Sequence, residues 1–145
     1  MKKVILYTLY WIWSCTWGII MTLIGFFAAC GLTISGHKPH HLGPNVYFVV
    51  GKNWGGVELG AFFIVSRAGA VGNTKYHEAG HGLQNLIWGP LMPFVICIPS
   101  AIRYWYRELK YYRKGLRPDT DYDSIWFEGQ ATRWGNKVYN RKENN

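Results

Sequence analysis

After Met1-Lys2-Lys3, the chain runs from Val4 to Ile34 without a formal charge or a proline. That exceeds the roughly 20 residues needed to cross a bilayer core, so the pattern predicts one tilted or protruding transmembrane helix. Tyr7, Tyr10, Trp11, Trp13 and Trp17 crowd its first half, as an interfacial belt would. A cleaved signal peptide, or a lipoprotein-like cleavage at Phe27-Ala28-Ala29-Cys30, is the alternative reading. Ser35 to Pro44 reads as a Gly/Pro-containing linker carrying His37, His40 and His41. Two apolar runs rich in β-branched and aromatic residues follow, Val46 to Val50 and Val57 to Ser66, around Gly51-Lys52-Asn53-Trp54-Gly55-Gly56. They predict a β-hairpin.

Helical spacing resumes at Thr74. Asn73 or Thr74 can cap this helix, and Gly89-Pro90 should end it near Trp88. Leu86 to Ile102 is again apolar and uncharged, but it is short and broken by Pro90, Pro93 and Pro99. A second crossing, a re-entrant segment and a buried kinked helix all fit that pattern, and fold-back is the expectation. Ala101 to Lys114 continues as an amphipathic helix. A polar turn with Asp119, Asp121 and Asp123 precedes a last helix, Ser124 to about Tyr139. The expected architecture is α+β: residues 1–34 a membrane anchor, 35–44 a linker, and 45–145 one folded domain.

At 145 residues the chain is long enough for one core. Its aromatic share of 17% equals its charged share, a profile suited to a protein that meets lipid as well as water. The net charge is +8. Much of it lies in Arg103, Arg107, Lys110, Arg113, Lys114 and Arg117, against Glu108 alone. A basic cluster following an apolar run predicts contact with anionic lipid headgroups. No nucleic-acid recognition motif accompanies it, so nucleic acid is not an expected partner. Cys15, Cys30 and Cys97 lie in apolar segments and read as inert thiols.

The sharpest chemistry is His77-Glu78-Ala79-Gly80-His81. Residues four apart share a helix face, so His77 and His81 can offer two imidazole nitrogens to one metal ion. Glu78, one position round, can accept a proton from a water beside the metal and pass it to a leaving amine. This is the H-E-x-x-H pattern of zinc metallopeptidases. Gly80 and Gly82 cost helix stability, and a close approach by another segment is a reason to keep them. Catalytic zinc usually takes three protein ligands. Glu128 is the best third candidate, because an acid among Trp126, Phe127 and Ala131 needs a partner once dehydrated. Asp119, Asp121 and Asp123 are weaker candidates, and His37, His40 and His41 weaker again.

His77-Glu78-Ala79-Gly80-His81 followed by Glu128-Gly129-Gln130-Ala131 resembles the gluzincin zinc metallopeptidases over residues 74 to 135. The chain is also similar to small bacterial membrane proteins that pair such a helix with Gly89-Pro90 and a Pro-broken apolar stretch. The resemblance implies Zn²⁺ held by His77, His81 and Glu128, with Glu78 as general base. The substrate would be a peptide or protein near the membrane surface, the location the bacterial inner (plasma) membrane. Where many gluzincins have an acid shortly after the third ligand, this chain has Gln130, Ala131 and Thr132. Tyr122, Arg133 and Tyr139 are able to donate to an oxyanion. Two other classes stay open at this point: a non-catalytic membrane protein with a structural metal site or a lipid- or partner-docking face, and a zinc hydrolase of non-peptide amides or esters.

Overall fold

The computed structural model of the chain describes residues 1–140; the last five residues of the expected 45–145 domain lie outside the described residues. The architecture is α+β, with helices packed around a small mixed sheet. The expected single transmembrane helix is instead two helices, α1 (Lys2–Thr16) and α2 (Ile19–Ile34), bent by 100° at Trp17-Gly18. Among the described residues no single helix is long and apolar enough to cross a membrane.

The break has an identifiable cause. Gly18 is a poor helix former, and its carbonyl accepts the Asn85 side-chain amide at 3.3 Å. The aromatics expected to form an interfacial belt are partly spent inside the molecule. The indole N–H groups of Trp11, Trp13 and Trp17 donate to the carbonyls of Pro44, Leu86 and Ile87, at 3.0, 2.8 and 3.2 Å. Tyr10 is buried and donates to Asn45 Oδ1 at 2.5 Å.

His40–Leu42, inside the stretch expected as linker, forms β1. With β2 (Asn45–Val49), β3 (Gly56–Leu59) and β4 (Phe62–Val65) it builds a sheet of order β1-β2-β4-β3. The expected hairpin across Gly51–Gly56 does not form. β2 pairs in parallel with β4, Val46 opposite Phe62, and the hairpin lies one turn later, where β3 returns as β4 with Leu59 opposite Phe62. Gly60 makes that turn possible, because its φ of +76° is one that L side chains rarely adopt. β3 is thereby left as an edge strand.

The short helix α3 (Arg67–Val71) leads into α4 (Thr74–Trp88), which has the bounds the sequence predicts. α4 lies between two apolar clusters, one including Leu42, Phe63, Val65, Tyr76 and Tyr139, the other Met21, Met92, Ile96 and Phe127. Gly89 stops it at a φ of +49°. A 3₁₀ turn (Gly89–Leu91) and a π-type turn (Pro93–Cys97) then redirect the chain by 116° into α5 (Ile98–Lys110). The Pro-broken stretch therefore folds back sharply on α4.

The C-terminal helix α6 (Trp126–Gly135), continued by a π-type turn (Asn136–Asn140), crosses α4 at close range. Gly80 faces the Ala131 carbonyl and Gly135 the Tyr76 carbonyl, with no room for a Cβ at either. This close approach answers the question raised by Gly80 and brings α6 onto the histidine face.

Candidate metal centre

His77 and His81 extend from successive turns of α4, and Glu128 comes from the first turn of α6. Their ligand atoms converge. His77 Nε2, His81 Nε2 and Glu128 Oε2 stand 3.1 Å from one another on each of the three sides. Three ligands of a tetrahedral ion at about 2.0–2.1 Å would be roughly 3.3 Å apart, so this triangle is close to the required size. Glu128 is fully buried and His81 nearly so, whereas His77 borders an open cavity. A His77, His81, Glu128 group at metal-binding distance is thus present.

The surrounding hydrogen bonds decide which atoms are free to ligate. Gln84 Nε2 donates to the Phe127 carbonyl at 2.8 Å and to Gln130 Oε1 at 2.9 Å, which turns Gln84 Oε1 toward His81 Nδ1 at 2.7 Å. That oxygen can only accept, so His81 carries its proton on Nδ1 and presents a bare lone pair at Nε2. Thr132 Oγ1 lies 2.7 Å from His77 Nδ1. Ser100 donates to Glu128 Oε1 at 2.5 Å, leaving Oε2 for the cluster. With both imidazoles neutral and Glu128 ionised, at most one proton, on His77 Nε2, lies among three atoms that face each other. One divalent cation meets all three, and the donor set fits zinc chemistry.

The partners of the two imidazole Nδ1 atoms are Thr132 and Gln84. Both were in reach of the sequence: Thr132 follows Glu128 by four residues and Gln84 follows His81 by three, each on its ligand's helix face. Ser100, brought in by the fold-back of α5, left no local signal. Gln84→Ala should keep the fold but weaken metal affinity about 10- to 100-fold, because the imidazole loses its orienting partner. Unchanged affinity in a metal titration would remove Gln84 from that role.

The cavity beside the cluster has a volume of about 370 Å³. Glu78, the expected base, is buried in its wall and packs against Gly56, where a Cβ would fall 2.7 Å from Glu78 Oε1. Ser66 N–H donates to the Gly55 carbonyl at 2.9 Å, so Gly55, Val57 and Leu59 turn their main-chain groups to β4. By alternation Gly56 and Glu58 turn theirs to the free edge of β3, beside the cavity. Met92, Ile96 and Trp105 form an apolar wall.

Tyr122, one of three possible oxyanion donors, lines the cavity with its hydroxyl 3.5 Å from Ser100 Oγ. Burial and the Glu128 charge raise its pKa, which keeps it a proton donor. Arg103 and Arg107 hold the loop carrying Tyr122, donating to the carbonyls of Asp121 and Thr120 at 2.8 Å each. Two of the six cations read as lipid-facing are therefore spent internally. Arg133 is exposed, and Tyr139 is buried against Asn45 at 3.1 Å. Asp119, Asp121 and Asp123 line a separate surface hollow, and His40 stacks on Tyr47 at 5.2 Å. Neither group joins the centre.

Burial pushes the Glu78 carboxyl up to about 7, with the nearby Glu128 charge acting in the same direction and His81 opposing. Burial raises the Glu128 carboxyl, but its contacts with His77, His81 and Ser100 outweigh that and hold it below the usual range. The signs differ. A raised acid binds its proton in the folded state while the unfolded chain releases it. Metal-free protein should therefore lose stability as pH rises from about 4.5 to 7, by roughly 3 kcal/mol for Glu78. Glu128 contributes the reverse, stability lost as pH falls below the ordinary carboxylate range. Denaturant melts across pH, with and without zinc, check this: a bound cation favours ionised Glu78 and should flatten the neutral limb.

No family model, no curated protein and no solved structure matches this chain.

Proposed function

We propose that this chain is a membrane-bound zinc metallopeptidase of gluzincin type. The observation that carries the reading is the convergence of His77, His81 and Glu128 at one side of a cavity bordered by Glu78 and a free strand edge. His77, His81 and Glu128 would hold the zinc, which when bound would supply Lewis acidity toward a scissile carbonyl and an acidified water. Glu78 accepts a proton at its carboxylate and returns it to the leaving amine. The Tyr122 hydroxyl donates to the oxygen on which negative charge develops. An extended peptide adds to the edge of β3 through the outward groups of Gly56 and Glu58, with an apolar side chain against Met92 and Ile96. A structural zinc site is usually closed by four protein ligands, and three beside an open cavity favour catalysis over that alternative.

The membrane part of the reading rests on surface chemistry. α1 and α2 expose Leu6, Leu9, Ile12, Ile20, Leu23 and Phe27, and α5 with the turn before it exposes Phe94, Ile98, Ile102 and Trp105. The bends of the two helix pairs touch, Trp17 donating to Ile87 at 3.2 Å, so both uncharged stretches meet at one end of the molecule. Such a surface suits insertion into lipid rather than water.

Zinc-loaded protein in vesicles, given a mixture of peptides of varied sequence, should cleave a subset of them, and a chelator should stop it. Intact peptides after prolonged incubation with protein shown to hold one zinc would refute the peptidase reading. Recovery of the detergent-free protein in the supernatant after vesicle sedimentation would refute the membrane reading.

A further inference from the structure

Helix α5 is built inside out. Ile98, Ile102, Trp105 and Leu109 recur at spacings of four, three and four residues, which puts them on one face. All four are exposed, Ile102 at 65%. The opposite face is polar and turned inward: Ser100 donates to Glu128, Arg103 and Arg107 hold the Tyr122 loop, and Arg107 is only 6% exposed. In a protein surrounded by water such an apolar stripe faces the core. At 13 residues α5 is about 20 Å long, too short to cross a bilayer core of about 30 Å but suited to lying along its surface.

Charge and aromatic chemistry name what covers the stripe. α5 ends in Lys110, and the chain runs on through Arg113, Lys114 and Arg117, all four exposed. Glu108, 4.0 Å from Arg113, is the only acid between Arg103 and Arg117. An apolar stripe flanked by cations fits the boundary between acyl chains and anionic headgroups. The cavity opens beside it. Cys97, Ala101 and Tyr104 line the cavity about a quarter turn round the helix from the stripe, and Trp105 belongs to both. The Tyr104 hydroxyl donates to the Trp54 carbonyl at 3.4 Å. Trp54, Tyr104 and Trp105 are exposed residues of the cavity lining, so they give it an aromatic rim. Trp and Tyr concentrate at the headgroup level of membranes.

We propose that α5 lies flat in the interface of an anionic bilayer, and that the cavity beside it takes chain segments lodged in that interface rather than peptides from bulk water. The inference deepens the membrane and metallopeptidase readings and rests on both. It sets the free edge of β3 at headgroup depth, where a chain leaving the acyl region needs partners for its main-chain groups. The substrate class is a polypeptide anchored by an apolar segment and cut close to where that segment meets the surface.

The first measurement places α5 without need of activity. Ile102→Cys and Leu109→Cys, each in a Cys15→Ala, Cys30→Ala, Cys97→Ala background, carry a fluorophore. Mixed phosphatidylcholine–phosphatidylglycerol vesicles should cut iodide quenching of both labels about 5-fold or more. Unchanged quenching in protein that sediments with the vesicles overturns the proposal and leaves the membrane reading intact. Labels already shielded without vesicles mark a protein partner, a second copy included, and overturn it as well. The second measurement joins one cleavable peptide to a membrane-spanning apolar segment, either directly or through a Gly/Ser spacer of about 30 residues that sets it roughly 30 Å away. Zinc-loaded wild type should cut the direct fusion about 10-fold faster. The double variant Ile102→Asp, Leu109→Asp, altered at exposed positions outside the cavity, should lose that preference and cut the spaced peptide as wild type does. Equal or faster cutting of the spaced peptide by wild type overturns the substrate class. Cleavage of neither, with both labels shielded, refutes the peptidase reading and with it the substrate, while the placement of α5 stands.

Discussion

Glu78→Gln should keep its zinc and lose hydrolysis by about 10²- to 10⁴-fold, the usual share of a positioned general base. The amide preserves the shape that fits against Gly56 but cannot accept a proton. Glu78 is buried where no other carboxylate can take its place, because Glu58 is tied to Gly60 and Glu128 to Ser100 and the histidines. Turnover per bound zinc, with metal content measured on the same sample, is the readout. Loss of zinc in this variant would make Glu78 a ligand or a structural residue. Undiminished turnover would remove it from catalysis.

Glu128→Ala should be as damaging to metal binding. It deletes the anionic ligand, removes the acceptor of the Ser100 hydroxyl and leaves two imidazole nitrogens facing an emptied site. Two His ligands on successive turns of one helix hold zinc weakly, so affinity should fall by about three orders of magnitude or more, consistent with the strong dependence of zinc binding on ligand count. Asp121→Ala, in a separate hollow, should bind like wild type. Metal titration by calorimetry compares the three proteins. Tight binding by Glu128→Ala together with loss in Asp121→Ala would reverse the ligand assignment.

The sequence made the ligand helix readable because its signals are local. Asn73, Gly89-Pro90 and the four-residue histidine spacing all lie within α4 or at its ends. Glu128 was readable for an energetic reason: an acid among aromatics has to be neutralised, and here two imidazoles and a serine surround it. Non-local geometry was not readable. Val57 to Ser66 looks like one strand, and only the turn at Gly60 splits it into β3 and β4. The parallel pairing of β2 with β4 depends on which neighbour β4 finds, and neither strand's pattern encodes that.

The uncharged run from Val4 to Ile34 misled for the same reason. Its length satisfies a crossing, but Gly18 lets it break and Asn85, Pro44 and Leu86 supply polar partners that sequence distance conceals. Composition also did not reveal what two of the basic residues hold. Arg103 and Arg107, read as part of a headgroup-facing cluster, fasten the loop that brings Tyr122 to the cavity.

The central claim is that His77, His81 and Glu128 form one metal site. Zinc content of purified wild-type and His81→Ala protein, measured by elemental analysis after dialysis against metal-free buffer, tests it most directly. The account predicts about one zinc per wild-type chain and close to none in the variant. Wild-type protein without zinc after reconstitution, or His81→Ala retaining a full equivalent, would contradict it.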